Sequence, residues 1–184
     1  IKVIDGFPKK ISERWFSGDE CGRFNGEPEC NQQEKCLWSD NEGTCDHMGF
    51  SAAFIYGFDK KTYFFRGSKV YLYDDKNLKV AEGYPKEIKT IFKGVPSNID
   101  AAFTWGKDGK TYFFKGPLYY KYNDKKKKVE KGYPKKTKDR WFGMPTIIDA
   151  IFTLNVSLDN KNDRNPTYII SGGHSYYIDQ STDN

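Results

Sequence analysis

The 184-residue sequence contains no apolar run that approaches the roughly 18 residues of a membrane-spanning helix. Its first residues also lack the charged and then apolar pattern of a secretory signal. We therefore expect a soluble chain without a membrane span, either a mature protein or a fragment.

Catalytic motifs are also lacking. The two histidines, His47 and His174, are not arranged as H-E-x-x-H, so the sequence does not predict zinc protease chemistry. There is no G-x-S-x-G elbow and no Walker loop, and no carboxylate pair stands apart from the acids of the turns. We predict that the protein is not an enzyme.

Cysteine is confined to one short stretch that is rich in Gly, Glu and Asn. Its pattern is C-x8-C-x5-C-x8-C, formed by Cys21, Cys30, Cys36 and Cys45. An even count in such a stretch favours two disulfides, with three connectivities open, and hence an oxidising, extracellular compartment. A structural zinc site is the alternative, but the usual C-x2–4-C spacing is missing and His47 is the only nearby histidine.

Aromatic side chains are abundant. They make up 17% of the residues, whereas all hydrophobic residues together make up only 37%. The buried area must therefore come largely from Tyr, Phe and Trp. Because aromatic and β-branched residues suit a pleated, half-buried surface, this composition favours strands over helices.

A repeat of 49 residues organises the chain. Matching residues recur at this interval in the pairs Phe54 and Phe103, Gly67 and Gly116, Gly83 and Gly132, and Asp100 and Asp149. The last pair opens a third copy. Self-similarity at such a period is typical of solenoids and propellers, in which each unit buries its apolar face against its neighbours.

Each unit is predicted to consist of antiparallel strands joined by tight turns. In the first complete unit these strands are Ala52–Tyr56, Thr62–Arg66, Val70–Tyr73 and Leu78–Ala81. The alternation in Val70–Tyr73 predicts a strand with one buried face. This plan is that of a propeller blade.

A closing segment ends each unit. It begins with Gly, an aromatic residue, Pro and Lys, at Gly6–Lys9, Gly83–Lys86 and Gly132–Lys135. An apolar pair four residues apart follows each time, as Ile11 with Trp15, Ile88 with Phe92, and Thr137 with Trp141. Proline in the first turn followed by such a pair predicts a short helix, and Thr137 makes the last pair the weakest.

Four motifs, repeated in order and at even spacing, make the chain resemble the hemopexin-like repeat family. They are Asp100-Ala101-Ala102-Phe103, Tyr112-Phe113-Phe114-Lys115-Gly116, Tyr119-Tyr120-Lys121-Tyr122 and Gly132-Tyr133-Pro134-Lys135. The family includes hemopexin, vitronectin and the C-terminal domains of secreted matrix metalloproteinases. The resemblance implies an all-β fold, a four-bladed β-propeller.

Within this plan the propeller is incomplete, because the start of blade one and the end of blade four are missing. The predicted division is the end of blade one at 1–16, a disulfide-stapled insertion at 17–48, blade two at 49–96, blade three at 97–145 and the start of blade four at 146–184. Three explanations are open: a fragment, a two-chain product in which a second chain completes the propeller, and a permuted closure in which Val3–Trp15 completes the blade begun at Thr167.

The resemblance also implies an ion site in the central channel, held by backbone carbonyls at the strand starts. The first layer is Ser51, Asp100 and Asp149, and the second layer is Ala53, Ala102 and Ile151. Carbonyl oxygens suit a hard cation such as calcium or sodium, which the family holds together with an anion. The alternative is that Asp100 and Asp149 cap nearby amides with no ion bound.

Positive charge is concentrated in one segment. Residues 121–140 contain ten basic residues against three acids, although the net charge of the chain is only +5. Clustered lysines gain affinity for a polyanion through counterion release, which suggests sulfated glycosaminoglycan as a ligand. The candidate residues are Lys125, Lys126, Lys127, Lys128, Lys131, Lys135 and Lys136. A solvated edge kept soluble by charge is the alternative.

Two further sites are suggested. His47, beside Met48, and His174, on a Gly-Gly turn, are the candidate axial ligands if the protein binds haem, although each is also compatible with an ordinary surface histidine. Asn155 opens an Asn-Val-Ser sequon for N-glycosylation in a polar loop.

These features together predict a secreted, non-catalytic binding module that recognises protein, matrix or polyanionic partners through its blades. A haem or metal-ion carrier and the detached C-terminal domain of a secreted zinc metalloproteinase are the alternatives. No nucleic-acid partner is expected.

Overall fold

The computed structural model describes residues 26, 28, 36–39, 44–47, 49–106, 108–141, 143–153 and 167–178. The helical elements are α1 (Ile88–Ile91) and a 3-10 helix (Thr137–Asp139). The strands are β1 (Cys36–Ser39), β2 (Thr44–His47), β3 (Ala52–Ile55), β4 (Thr62–Arg66), β5 (Lys69–Asp74), β6 (Lys79–Val80), β7 (Lys86–Glu87), β8 (Ala101–Trp105), β9 (Lys110–Lys115), β10 (Leu118–Asn123), β11 (Lys128–Val129), β12 (Lys135–Lys136), β13 (Ala150–Thr153), β14 (Thr167–Ser171) and β15 (His174–Ile178).

Three antiparallel sheets follow one another along the chain. Sheet I has the order β3-β4-β5-β6, sheet II the order β8-β9-β10-β11, and sheet III the order β13-β14-β15. In sheets I and II a further short strand, β7 or β12, pairs with the third strand. The predicted all-β repeat is confirmed. Phe54 lies opposite Tyr63 in sheet I, and Phe103 and Tyr112, each 49 residues further along, lie opposite each other in sheet II.

The sheets stack with their first strands side by side, so that β3 contacts β8 and β8 contacts β13. One aromatic core lies between sheets I and II, where Phe54, Phe65 and Phe92 meet Phe113 of the next sheet. A second core lies between sheets II and III, where Trp141 belongs to the cluster that also contains Ile151 and Ile169. Facing surfaces of neighbouring sheets are thus buried against each other, and sheet II takes part in both cores, as expected for a repeat of this kind.

The closing segments are only partly helical. Pro85 and Pro134 do not lie in a first helical turn, contrary to the prediction, because each precedes a two-residue strand that pairs with the sheet before the helical turn begins. The apolar pairs are nevertheless in the core, with Ile88 and Phe92 each 1% exposed. Thr137 is buried as well, and its hydroxyl donates to the carbonyl of Pro117 at 3.3 Å.

The prediction of one buried face for β5 is wrong. Val70, Tyr71 and Leu72 are consecutive and all buried. The second face is covered because the ring of Phe50 lies 5.3 Å from that of Tyr71 and Arg66 donates to the Tyr71 hydroxyl at 2.7 Å. Both contacts come from outside β5, so the pattern within the strand does not contain them.

The predicted insertion at 17–48 contains a β-hairpin that the sequence pattern did not predict. Strands β1 and β2 pair antiparallel, with Cys36 opposite His47 and Cys45 opposite Trp38. Strands of four residues are too short to show a clear alternation of polar and apolar residues.

No helix in the described parts of the chain is long and apolar enough to cross a membrane.

Candidate functional site

A cleft of about 340 Å³ opens where the first strands of the three sheets meet. Its walls are formed by Ala53, Phe54, Ile55, Thr62, Ala102, Phe103, Thr104, Ile151, Phe152 and Thr153. The structure therefore brings together Ala53, Ala102 and Ile151, the residues predicted as the second layer of an ion site. Most of the wall is apolar, and its polar side chains are threonine hydroxyls.

The predicted first layer lies just before these strands. The backbone N–H groups of Ser51, Asp100 and Asp149 each donate to the carbonyl of the neighbouring strand, at 2.8 to 2.9 Å. These three positions therefore have the same backbone pairing in all three sheets, although none of them is among the residues that line the cleft.

The aspartate side chains at two of these positions bind turn amides. Asp100 Oδ2 accepts from the N–H of Gly116 at 2.5 Å, and Asp149 Oδ2 accepts from the N–H of Gly172 at 2.8 Å. Both glycines have positive φ, 50° and 55°, which suits glycine at a hairpin turn. This is the amide-capping role predicted above as the alternative to ion binding.

Cation binding at these strand starts would therefore depend on backbone carbonyl oxygens, because one oxygen of each carboxylate already binds a turn. Among the described residues, no three His, Cys, Asp or Glu side chains are grouped so that they could hold a metal ion. Carbonyl oxygens are sufficient ligands for calcium or sodium. The ion site stays a prediction.

The second candidate site is the lysine edge, which we define as Lys125, Lys126, Lys127, Lys128, Lys131, Lys135 and Lys136. All seven side chains are exposed, and none makes an ion pair with a described carboxylate. Lys125–Lys127 lie in the turn before β11, Lys128 opens β11, Lys131 follows this strand, and Lys135 and Lys136 form β12. Lys128 lies opposite Asn123 and Lys135 opposite Tyr119, so the two groups are about 13 Å apart along β10.

Two of these lysines are oriented by aromatic rings. The Lys127 ammonium lies 4.1 Å from the ring centroid of Phe58 in the preceding sheet, and the Lys135 ammonium lies 5.1 Å from that of Tyr133. Each distance is within the range of a cation–π contact. Ring contacts therefore help to position two of the seven ammonium groups of the lysine edge.

A chain of hydrogen bonds connects the cleft to the lysine edge. The N–H of Gly57 donates to Thr104 Oγ1 at 2.9 Å, and Thr111 Oγ1 donates to Asp124 Oδ1 at 3.0 Å. The two threonine oxygens are 3.2 Å apart, and since Thr111 gives its one proton to Asp124, Thr104 is the donor between them. Asp124 directly precedes the lysine run, and sequence reasoning missed this role because its partners lie on other strands.

Two buried tyrosines, Tyr56 and Tyr122, lie close enough to Asp124 of this network for its charge to act on them. Burial, and then the Asp124 carboxylate, raises the pKa of Tyr56. Burial also raises the pKa of Tyr119 and of Tyr122 to about 12 in each case, so both hydroxyls are neutral in ordinary buffers.

Of the two predicted haem ligands, only His174 has a side chain that the structure describes. His174 is exposed on β15, with Nδ1 3.0 Å from the Gly172 carbonyl oxygen, and it does not line the cleft. The backbone of His47 lies in β2, whereas its side chain is outside the described residues. Haem binding stays a prediction.

Several other predictions also fall outside the described residues. They concern the first closing segment at 1–16, Cys21, Cys30, the side chains of Cys36 and Cys45, and the sequon at Asn155. The two disulfides and the glycosylation therefore stay predictions.

Solved structures with the same fold include plant proteins. The hemopexin fold protein CP4 from cow pea matches with a TM-score of 0.55 and 22% identity, over 71% of this chain and 60% of that one. An albumin from Cicer arietinum showing hemagglutination matches with a TM-score of 0.55 and 20% identity, over 74% and 63%. A lectin from the same plant, with two metal binding sites, matches with a TM-score of 0.53 and 21% identity, over 74% and 63%.

The chain spans less than two thirds of the length of each of these structures, and at such identities the likeness concerns the fold. The stacked sheets agree with a propeller, while the number of blades and the boundaries between them stay predictions. A family model for hemopexin matches residues 50–97 and 99–146, more than half of the sequence. The chain therefore belongs to the hemopexin family.

Proposed function

We propose that this protein is a secreted, non-catalytic binding module whose lysine edge recognises a linear polyanion of the sulfated glycosaminoglycan class. The observation that carries the proposal is the row of seven exposed lysines along the outer strand of sheet II, none of them paired with a described carboxylate. Two of the structural neighbours are described as a lectin and as a protein showing hemagglutination, which supports a binding role.

The spacing of the lysines favours an extended ligand over a single phosphate or sulfate group. The turn lysines and the β12 lysines lie about 13 Å apart along β10, a span that an extended anion covers more readily than a compact one. A linear polyanion can neutralise both and release the counterions of each. Asp124, the acid next to the run, already accepts a hydrogen bond from Thr111 and so competes less with the ligand.

Retention on immobilised heparin at increasing salt tests this proposal. Replacing Lys125–Lys128 by alanine is expected to lower the salt concentration of elution clearly, since four ammonium groups of the edge are lost. The matched control replaces Lys60, Lys61, Lys76 and Lys79, four exposed lysines of sheet I, and is expected to shift elution much less. Equal shifts for both variants, or no retention of the wild type at low salt, would contradict the proposal.

A cation at the strand starts is a second candidate, and it is favoured by the identical backbone pairing of Ser51, Asp100 and Asp149 in the three sheets. Calcium or sodium, bound through the carbonyls at Ser51, Asp100 and Asp149, would tie the three sheets together. One of the neighbours is described as having two metal binding sites.

Calorimetric titration of calcium into chelator-treated protein tests the cation. We expect one ion to bind for each chain and the midpoint of thermal unfolding to rise with calcium concentration, because a ligand of the folded state stabilises it. Sodium serves as the competing ion. The absence of both heat and stabilisation at millimolar calcium and at high sodium would rule out the site.

A further inference from the structure

Directly after the closing segment of sheet I, the chain contacts β11, the outer strand of sheet II. The N–H of Val129 in β11 donates to the carbonyl of Lys93 at 2.9 Å, and Lys93 forms a parallel bridge with Lys128. The backbones approach closely here, since a Cβ atom on Gly94 would lie 3.1 Å from Val129 Cβ. This junction between the sheets therefore holds Lys93 beside the lysine edge.

Lys93 adds a positive charge to that edge. It is exposed, and it makes no ion pair with a described carboxylate. Because neighbouring strands lie about 4.8 Å apart, the bridge places two cationic residues directly opposite each other. Like charges on paired residues destabilise the folded state. An anionic group bound between Lys93 and Lys128 would relieve their repulsion, so this pair is a favourable position for a sulfate.

The equivalent position in sheet I does not carry such an excess of charge. Lys79 in β6 precedes Lys128 by one repeat of 49 residues. Lys79 lies opposite Asp74, a carboxylate that compensates its charge. In contrast, Lys128 lies opposite the neutral Asn123 on one side and opposite Lys93 on the other. The uncompensated charge is thus specific to the junction between sheets I and II.

A second contact across this junction positions Lys127. Its ammonium lies 4.1 Å from the ring centroid of Phe58 and 5.7 Å from that of Tyr56, and both rings belong to the turn that follows β3 of sheet I. These distances are within the range of cation–π contacts. Sheet I therefore adds one cation to the lysine edge and orients another that belongs to sheet II.

We propose that Lys93 is a binding residue of the polyanion site, and that the bound ligand crosses the junction and bridges sheets I and II. The inference rests on the proposed function and extends it to a residue outside the lysine edge. Since the ligand contacts Lys93 and Lys128 on either side of the inter-sheet hydrogen bond, separation of the two sheets requires part of the ligand to dissociate. Polyanion binding therefore stabilises the contact between these sheets.

The salt dependence of binding to a heparin hexasaccharide measures the contribution of Lys93. On nucleic acids, each contacting cation adds roughly 0.7 to 0.9 to the slope of log affinity against log salt concentration, and we expect a similar effect here. Lys93→Gln should lower the slope by about this amount and weaken binding at low salt. The matched control, Lys79→Gln, removes an exposed lysine of sheet I and should leave the slope unchanged. Equal slopes for the wild type and Lys93→Gln would overturn the proposal.

Amide hydrogen exchange tests whether the ligand bridges the sheets. Saturating hexasaccharide is expected to slow exchange of the Val129 amide severalfold in the wild type, because this N–H donates across the junction, and to slow it less in Lys93→Gln. The Ala81 amide donates to the Leu72 carbonyl within sheet I at 2.8 Å, and as the internal control it should keep its rate. An unchanged Val129 rate with ligand bound would place the ligand on sheet II alone and overturn the bridging.

The proposed function and its extension to Lys93 fail in different ways. If the wild type does not bind the hexasaccharide, both are wrong. If it binds and loses affinity when Lys125–Lys128 are replaced by alanine, while Lys93→Gln matches Lys79→Gln, the polyanion site is retained and only its extension to sheet I is excluded.

Discussion

The hydroxyl of Tyr112 donates a hydrogen bond of 2.6 Å to Asp108 Oδ2, four residues earlier in the chain. Tyr63 and Asp59 form the same bond in sheet I, at 2.8 Å. In each case the other carboxylate oxygen accepts a backbone N–H in the turn, from Lys110 or Lys61. The pair therefore joins a surface turn to the aromatic core of its sheet.

Removing the Tyr112 hydroxyl is expected to lower stability. Tyr112→Phe keeps the ring but deletes a hydrogen bond to a charged group, so the free energy of unfolding should fall by about 1.5 kcal/mol in urea denaturation. Tyr120→Phe, at a half-buried tyrosine of the same sheet, is the control and should change it by much less. Equal losses in both variants would mean that the bond to Asp108 adds nothing.

Stability is expected to decline above about pH 10. Burial raises the pKa of Tyr119 and of Tyr122 to about 12, while the unfolded chain ionises near 10. Between these values the unfolded state binds fewer protons than the folded state, so raising the pH favours unfolding, by at most about 1.4 kcal/mol per pH unit for each tyrosine. Below pH 10 this contribution to stability is fully present.

Urea denaturation between pH 8 and 11.5, together with absorbance at 295 nm, measures this effect. Tyr119→Phe and Tyr122→Phe should each flatten the fall in stability above pH 10. An unchanged slope in both variants would show that these hydroxyls do not cause it.

Contact between sheets I and II leaves no room for a side chain at residue 57. A Cβ atom on Gly57 would lie 2.4 Å from Thr104 Cγ2, whereas one on Gly106, the equivalent residue of sheet II, would meet nothing within 4 Å. Gly57→Ala is therefore expected to cost about 1 to 3 kcal/mol in the free energy of unfolding, and Gly106→Ala much less. Thr104→Ser, which removes the clashing methyl group, should partly rescue Gly57→Ala.

The capping role of Asp100 can be separated from ion binding by Asp100→Ser, which introduces the residue found at position 51 of sheet I. Loss of the carboxylate bond to the Gly116 amide should lower the free energy of unfolding by about 1 kcal/mol. Calcium affinity should change little, since the proposed ligands are carbonyl oxygens. A complete loss of calcium binding would indicate that the carboxylate itself is a ligand.

Much of the local architecture was predictable. The 49-residue period, the strand pairs with glycine at their turns, and the buried pairs Ile88 with Phe92 and Thr137 with Trp141 follow from residue type and spacing within a unit. They were recognisable because each depends on neighbours at most a few residues away. The prediction of a helical turn opening at proline was wrong, since pairing of Lys86–Glu87 with β5 takes precedence there.

The sequence by itself determined the repeat, the all-β character and the family, because alternation, turn glycines and recurring motifs are properties of short stretches. Only the tertiary structure decided which faces are covered and what each carboxylate binds. Asp100 reaches an amide 16 residues away, and Lys127 contacts a ring on another sheet. Such contacts depend on how separate sheets stack, which the pattern within one strand does not specify.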